Sequence, residues 1–215
     1  MPLSRCMISS TEEASAEQIP QASWPWSTDT KLSIAGIELI PTRATHASEL
    51  FTALDYDDVW THVKGRPISP EKWSEIIEGA EASGRWMWTA RKDGAIVGTT
   101  SFLDLSLVDA RVEIGHTTYA PQVWGTKVNP ACKLLLMGWA FEECGMNRVQ
   151  LQTDIRNLRS QTAIERMGAT REGVLRMYQR RQDDTIRDTV MYSVLAAEWP
   201  GVKEHLLHRL TPSLS

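Results

Sequence analysis

The stretch from Val112 to Ile164 constrains this chain more than any other. It opens on a strand, Arg111-Val-Glu-Ile-Gly-His-Thr-Thr-Tyr119, which runs into the loop Ala120-Pro-Gln-Val-Trp-Gly-Thr-Lys-Val-Asn129. Pro130 to about Cys144 is apolar nearly all round, the pattern of a helix buried against a sheet. A strand over Arg148–Asp154 and a helix from about Asn157 complete the unit. Asn129-Pro130 predicts a helix start, with Asn as the cap and Pro where no amide hydrogen is needed. Such a helix end carries roughly half a positive charge and unpaired N–H groups. Gly125 can turn more amides inward, and Lys127 adds a full charge. The unit therefore predicts a site for a phosphorylated group at the end of a strand.

The flanking segments supply the rest of an α/β (α+β) domain. Residues 1–30 read as a flexible arm, polar and without periodicity. Trp24-Pro-Trp26 is the exception, expected to dock on the domain or on a second copy. Leu32 to Ile40 reads as the first strand, and Thr42 to about Trp60 as a helix capped by Thr42 or Thr45. Ser69-Pro70-Glu71 starts a second helix that Gly84 ends. Lys92-Asp93-Gly94 turns a hairpin between Arg85–Arg91 and Ala95–Leu103. Two more strands, about Thr170–Arg180 and Thr185–Leu195, follow, joined by Gln182-Asp183-Asp184. The domain is expected over 31–200. Residues 201–215 form a tail whose short helix, Ala196 to Leu210, is interrupted by Pro200-Gly201.

Composition narrows the partners. A net charge of -4 argues against nucleic acid. No apolar run reaches the ~18 residues of a membrane span, and Met1–Gln21 lacks a signal-peptide core. Cys6, Cys132 and Cys144 are odd in number and lack metal-ligand spacing, so no metal and a cytoplasmic location are expected. The nine Trp are expected mainly in core and interface packing.

The loop Gln122-x-x-Gly125-x-Lys127 resembles the Gln/Arg-x-x-Gly-x-Gly/Ala loop of the GNAT superfamily of acetyl-CoA-dependent N-acetyltransferases. So do its flanks: Glu113-Ile-Gly115, Trp124-Gly-Thr-Lys-Val-Asn129, Asn157-Leu-Arg-Ser160, Ile164-Glu-Arg-Met-Gly168-Ala, Glu172-Gly-Val-Leu175 and Arg187-Asp188-Thr-Val-Met-Tyr192. In order and spacing they look like the RimJ/RimL branch, over about Leu32 to Trp199. The resemblance implies a mixed, mostly antiparallel twisted sheet flanked by helices, with splayed fourth and fifth strands. It implies acetyl-CoA as co-substrate, a primary amine as acceptor, and a homodimer. Backbone groups of Thr118, Tyr119 and Ala120 would pair with the pantetheine arm. Val123, Trp124, Gly125, Thr126, Lys127 and Val128 would cradle the pyrophosphate, and Asn157 would reach the pantetheine amides. Lys127 stands where the family has a second Gly. A positive φ there would cost roughly 1 kcal/mol or more, which a contact to phosphate could offset.

Acyl transfer to an ammonium needs a group that takes its proton and benefits from one that gives a proton to the departing thiolate. Glu113 is the first choice as base, with a pKa raised by partial burial. Asp104 and His116 are the other candidates. Strand alternation puts Glu113, Gly115 and Thr117 on one face and Val112, Ile114 and His116 on the other, unless a bulge near Gly115 breaks the parity. Ser160, three residues after Asn157, is placed beside the thiol, with Tyr178 and Tyr192 as substitutes. Cys132 and Cys144 read as inert core thiols. Arg156, Arg159 and Arg166 could meet the cofactor's 3′-phosphate or an acidic acceptor, with a solvated face as the plainer reading for most of them. The alternative to an enzyme is a non-catalytic acyl-CoA-binding sensor or interaction module.

Overall fold

Alternating apolar and polar residues generate one mixed sheet of eight strands in the order β1-β2-β3-β4-β5-β6-β8-β7, seen in a computed structural model that describes residues 21–211. In chain order the strands are β1 Leu32–Ile34, β2 Ile37–Pro41, β3 Trp86–Lys92, β4 Ala95–Ser106, β5 Arg111–Tyr119, β6 Arg148–Asp154, β7 Thr170–Arg180 and β8 Ile186–Leu195. The helices are α1 Ala47–Leu54, α2 Asp57–Trp60, α3 Pro70–Ala80, α4 Val128–Gly138, α5 Leu158–Glu165 and α6 Trp199–Leu210. Every pairing is antiparallel except β5 with β6.

Strand periodicity divides the core into two layers. Val112, Ile114 and Tyr119 of β5 pack with Ala131, Cys132, Leu134 and Leu136 of α4 and with Leu206 of α6. On the opposite face, Met87 and Ile96 meet Leu50 and Leu54 of α1 and Trp73 and Ile77 of α3. Ser69 caps α3 as its sequence predicts, its side chain accepting from the Lys72 amide, with Pro70 in the first turn.

Several expectations need correcting. The first predicted strand is two strands, because Ala35 and Gly36 adopt positive φ and turn the chain back. The helix expected over Thr42–Trp60 is broken into a 3-10 turn, α1 and α2, and neither Thr42 nor Thr45 is its cap. Pro200 does not interrupt the last helix; it sits in the first turn, where Pro is tolerated, and Val202, Leu206 and Leu210 bury one side. Trp24 packs edge-on against Trp86, Phe102 and Trp139, with ring centroids 5.0, 5.3 and 4.7 Å apart, and Trp26 meets Trp88 at 5.1 Å. From residue 21 on, the predicted arm is thus part of the core surface. Residues 1–20 and 212–215 of the predicted arm and tail lie outside the described residues.

Candidate active site

The site begins where two parallel strands part. β5 and β6 pair only at Arg111↔Arg148, Val112↔Val149 and Glu113↔Gln150. Beyond that point β5 stays with β4 and β6 with β8, so a gap opens toward their carboxyl ends. This is where open parallel strands take ligands. The loop after β5 and the first turn of α5 after β6 stand at its mouth, which brings the predicted cradle and Asn157–Ser160 to one end of the sheet.

Glu113 sits at the fork. It is 6% exposed, and Gln152 Nε2 of β6 donates to its Oε2 across the gap. Burial raises its pKa; hydrogen bonds from Gln152 and Gln150 pull down, Asp104 pushes up and Arg187 pulls down, with the net above the ordinary value. Gly115 leaves room for that carboxylate: a Cβ there would lie 2.7 Å from Glu113 Oε1 and 2.7 Å from Leu103 Cδ1. Asp104 is tied to Arg111 Nη1 at 2.5 Å and accepts from Gln150 at 3.1 Å, so it acts as a strut.

A β-bulge then resets the strand. Ser101 pairs with Gly115 and Thr99 with Thr118, so Thr100 faces two residues, His116 and Thr117. His116 has φ +44°. The bulge breaks simple alternation: His116 and Thr118 join the face of Glu113, and Thr117 turns to α4. There Thr117 Oγ1 meets Thr100 Oγ1 at 2.8 Å and accepts from Lys133 Nζ at 2.9 Å. Lys133 is 4% exposed, and burial pushes its pKa down to about 8. Sequence reading missed it, although a lone Lys within Ala131-Cys-Lys-Leu-Leu-Leu was the available signal. His116 is exposed, not packed. Desolvation of its ring nitrogens and the charges of Arg85 and Arg187 push its pKa down to about 4, which leaves it neutral near pH 7.

The loop after β5 leads into α4 with a different cap from the one expected. Gly125 takes φ +72°, which favours Gly, whereas Lys127 has φ -71° and carries no strain. Among the described residues, the amide hydrogens of Gly125 and Lys127 have no hydrogen-bond partner. The helix starts at Val128, not at Pro130, and Asn129 does not cap it; Thr126 Oγ1 accepts from the Val128 amide at 3.3 Å. Lys127 does not point its charge at the cradle, because its Nζ donates to Leu210 O at 2.7 Å and closes the end of α6. Arg159 instead stacks its guanidinium 3.7 Å over the Trp124 ring.

Other predicted groups have settled partners. Tyr119 O accepts from Trp124 Nε1 at 2.7 Å, the Ala120 amide donates to Val97 O at 2.9 Å, and the Ala120 carbonyl accepts from the Val123 amide at 3.1 Å, so both backbone groups of Ala120 are engaged within the chain. Asn157 Oδ1 accepts from the Ser160 amide at 3.0 Å, so Asn157 caps α5 and keeps its amide nitrogen. The Tyr192 hydroxyl donates to Glu165 Oε1 at 2.9 Å, while Tyr178 is exposed. Burial pushes the thiols of Cys132 and Cys144 up to about 11 and about 12, as inert thiols require.

Over the face of Glu113 lies a narrow cavity of about 20 Å³, lined by Trp60, Lys64, Trp73, Arg85, His116 and Thr118. It admits a group the size of a water or an ammonium. A larger cavity, about 360 Å³, lies near β2 against Thr28, Arg43 and Arg91 and touches none of these residues.

The chain belongs to the GNAT acetyltransferase family: residues 37–170 match its acetyltransferase (GNAT) domain. It is 34% identical over 113 residues, 52% of this chain, to "Putative ribosomal N-acetyltransferase YdaF" of Bacillus subtilis (strain 168), and the match spans 60% of that protein's length. A crystal structure of an acetyltransferase-type protein from T. thermophilus superposes with a TM-score of 0.79 at 34% identity, covering 86% of this chain and 100% of that one. Mycobacterium smegmatis RimJ in complex with CoA-disulfide shares the fold, with a TM-score of 0.73 at 20% identity over 83% of this chain and 92% of that one. The match to a protein named as a ribosomal N-acetyltransferase agrees with the RimJ/RimL-like branch expected above.

Proposed function

We propose that this chain is an acetyl-CoA-dependent N-acetyltransferase that moves an acetyl group to a primary amine by direct attack. One observation carries the reading: a buried carboxylate with a raised pKa, Glu113, stands at the fork of two parting parallel strands whose far end carries a cradle with unpaired amides. The groups present fit the co-substrate. The amides of Gly125 and Lys127 and the N-terminus of α4 suit a pyrophosphate. The open edge of β5 and the Asn157 amide nitrogen suit pantetheine, and Arg159 suits a terminal phosphate. Acetyl-CoA supplies an activated acyl thioester.

Glu113 takes a proton from the incoming ammonium, directly or through water, and its raised pKa brings it nearer the working pH. Ser160 donates a hydrogen bond at the leaving sulfur. Lys133, held by Thr117 behind the bulge, adds a buried positive charge on the α4 side of β5. The wall of Trp60 and Trp73 excludes water and holds the amine in line. A homodimer in the cytoplasm belongs to the same proposal, with the exposed Met177 and Tyr178 as the contact to probe, because Trp24 and Trp26 are already packed within the chain.

CoA release followed with a thiol reagent, across peptide and small-molecule amines, tests the reading. An amine-dependent release that Glu113→Gln lowers about 100-fold is expected. Tight acetyl-CoA binding with no release from any amine would support a sensor or interaction module in its place.

A further inference from the structure

Strand register aligns two arginines with Glu113 on one face of the sheet. Ser101 pairs with Gly115, so the Arg85 side chain that reaches Ser101 lies on the face of Gly115 and Glu113. Across the gap, Gln152 pairs with Met191 and Asp154 with Thr189, which puts Arg187, two residues before Thr189, on that same face. Arg85 and Arg187 thus flank His116 and the gap from opposite sides, and both charges act on its ring.

The two guanidiniums are held alike. Arg85 Nε donates to Ser101 Oγ at 2.9 Å, and Arg187 Nε donates to Thr189 Oγ1 at 2.9 Å. A hydroxyl fixes each stem, and among the described residues the terminal nitrogens of both have no hydrogen-bond partner. Neither residue forms a salt bridge among the described residues, although both are half-buried. Three nearby arginines, by contrast, are matched: Arg148 with Glu172, Arg181 with Asp154 and Arg111 with Asp104. The nearby carboxylates are accordingly committed. Asp154 is held by Arg181, Asp104 by Arg111 and Gln150, and Glu113 by Gln152. Exposed Lys64 adds a third cation at the cavity rim. A half-buried guanidinium whose terminal nitrogens lack a hydrogen-bond partner is costly, and its planar fork matches an acidic group in two-point contact.

We propose that the acceptor is a primary amine that itself carries an acidic group, held by the terminal nitrogens of Arg85 and Arg187 while its amine lies toward Glu113. This proposal rests on the acetyltransferase reading above and narrows its substrate to anionic amines. The transfer stays balanced: the amine nitrogen forms the amide bond, the thioester carbon–sulfur bond breaks, and the ammonium nitrogen gives up two protons, one to solvent through Glu113 and one to the departing thiolate, so CoA leaves as its thiol. The acidic group only anchors.

The test compares ω-amino carboxylates, from glycine to 6-aminohexanoate, and ω-aminoalkyl phosphates with the matching neutral carboxamides and alcohols, at saturating acetyl-CoA. At least one acid is expected to exceed its neutral partner by about tenfold or more in kcat/KM. Arg85→Gln and Arg187→Gln are each expected to bring that ratio toward one, chiefly through KM. Arg187→Lys recovers part of it, and exposed Arg176→Gln on β7 leaves it in place. Each variant's acetyl-CoA affinity, by calorimetry, reports whether it has folded. Absence of any acid preference, or a preference that survives both Gln substitutions, overturns the proposal. Whether carboxylate or phosphate is preferred identifies the anion. Failure of acetyl-CoA to bind wild type would instead remove the transferase reading itself.

Discussion

Glu113 is asked to be a base inside the protein, and burial makes it a better one by raising its pKa above the ordinary 4.5. A base must be ionised to act, so kcat/KM should rise with pH through a limb centred above 4.5. Measured between about pH 4 and 9, that limb should be present in wild type and absent in Glu113→Gln. Gly115 guards the same carboxylate. Gly115→Ala places a methyl 2.7 Å from Glu113 Oε1, so kcat should fall at least about tenfold while acetyl-CoA affinity holds within about threefold. An equal loss of both would mean the strand had moved rather than the carboxylate. Lys133 carries the opposite sign. Its folded pKa of about 8 lies below the ordinary 10.5, so its burial costs stability while it is charged, and that cost fades as pH rises from 8 toward 10.5. Wild-type thermal stability relative to Lys133→Met should therefore improve over that window.

At the scale of elements, the chain's ties are as informative as its gaps. Arg148 grips Glu172 through two contacts, 2.5 and 2.6 Å, and Ser193 adds a third at 2.8 Å, joining β6, β7 and β8. Arg148 holds the Glu172 carboxyl down to about 2. The depressed pKa contributes stability above about pH 4.5 that is lost as pH falls toward 2, so the Tm gap between wild type and Glu172→Gln should close over that window. Element types were largely legible in sequence because their signals are local: Asp93-Gly94 for the hairpin, Ser69-Pro70 for α3, and the apolar run for α4. The bulge near Gly115 was legible only as an alternative to strict alternation, because its register depends on which β4 residue meets which β5 residue, a choice made by packing. The α4 cap was misread for a related reason. Asn129 has the right chemistry, but the loop ends two residues earlier, where the Thr126 hydroxyl reaches the Val128 amide. The role of Lys127 was hidden because its partner, Leu210, lies far along the chain.

Across the whole molecule, the sheet is built to be opened at one place and sealed elsewhere. Trp24 shows how the seal is made, since a residue from the predicted arm completes the cluster of Trp86, Phe102 and Trp139. Trp24→Ala should cost about 2–4 kcal/mol in chemical denaturation, with the m-value unchanged. The opening between β5 and β6 carries the central claim, that this architecture holds acetyl-CoA through the backbone of the loop after β5. Calorimetric titration of acetyl-CoA into wild type, Gly125→Val and Lys127→Gly tests it most directly. One saturable site is predicted in wild type, weakened at least about tenfold in Gly125→Val, where a β-branched residue opposes φ +72°. Lys127→Gly should bind within about threefold of wild type but melt lower, because Lys127 closes α6. No saturable binding to wild type, or equal affinity in Gly125→Val, would contradict the account.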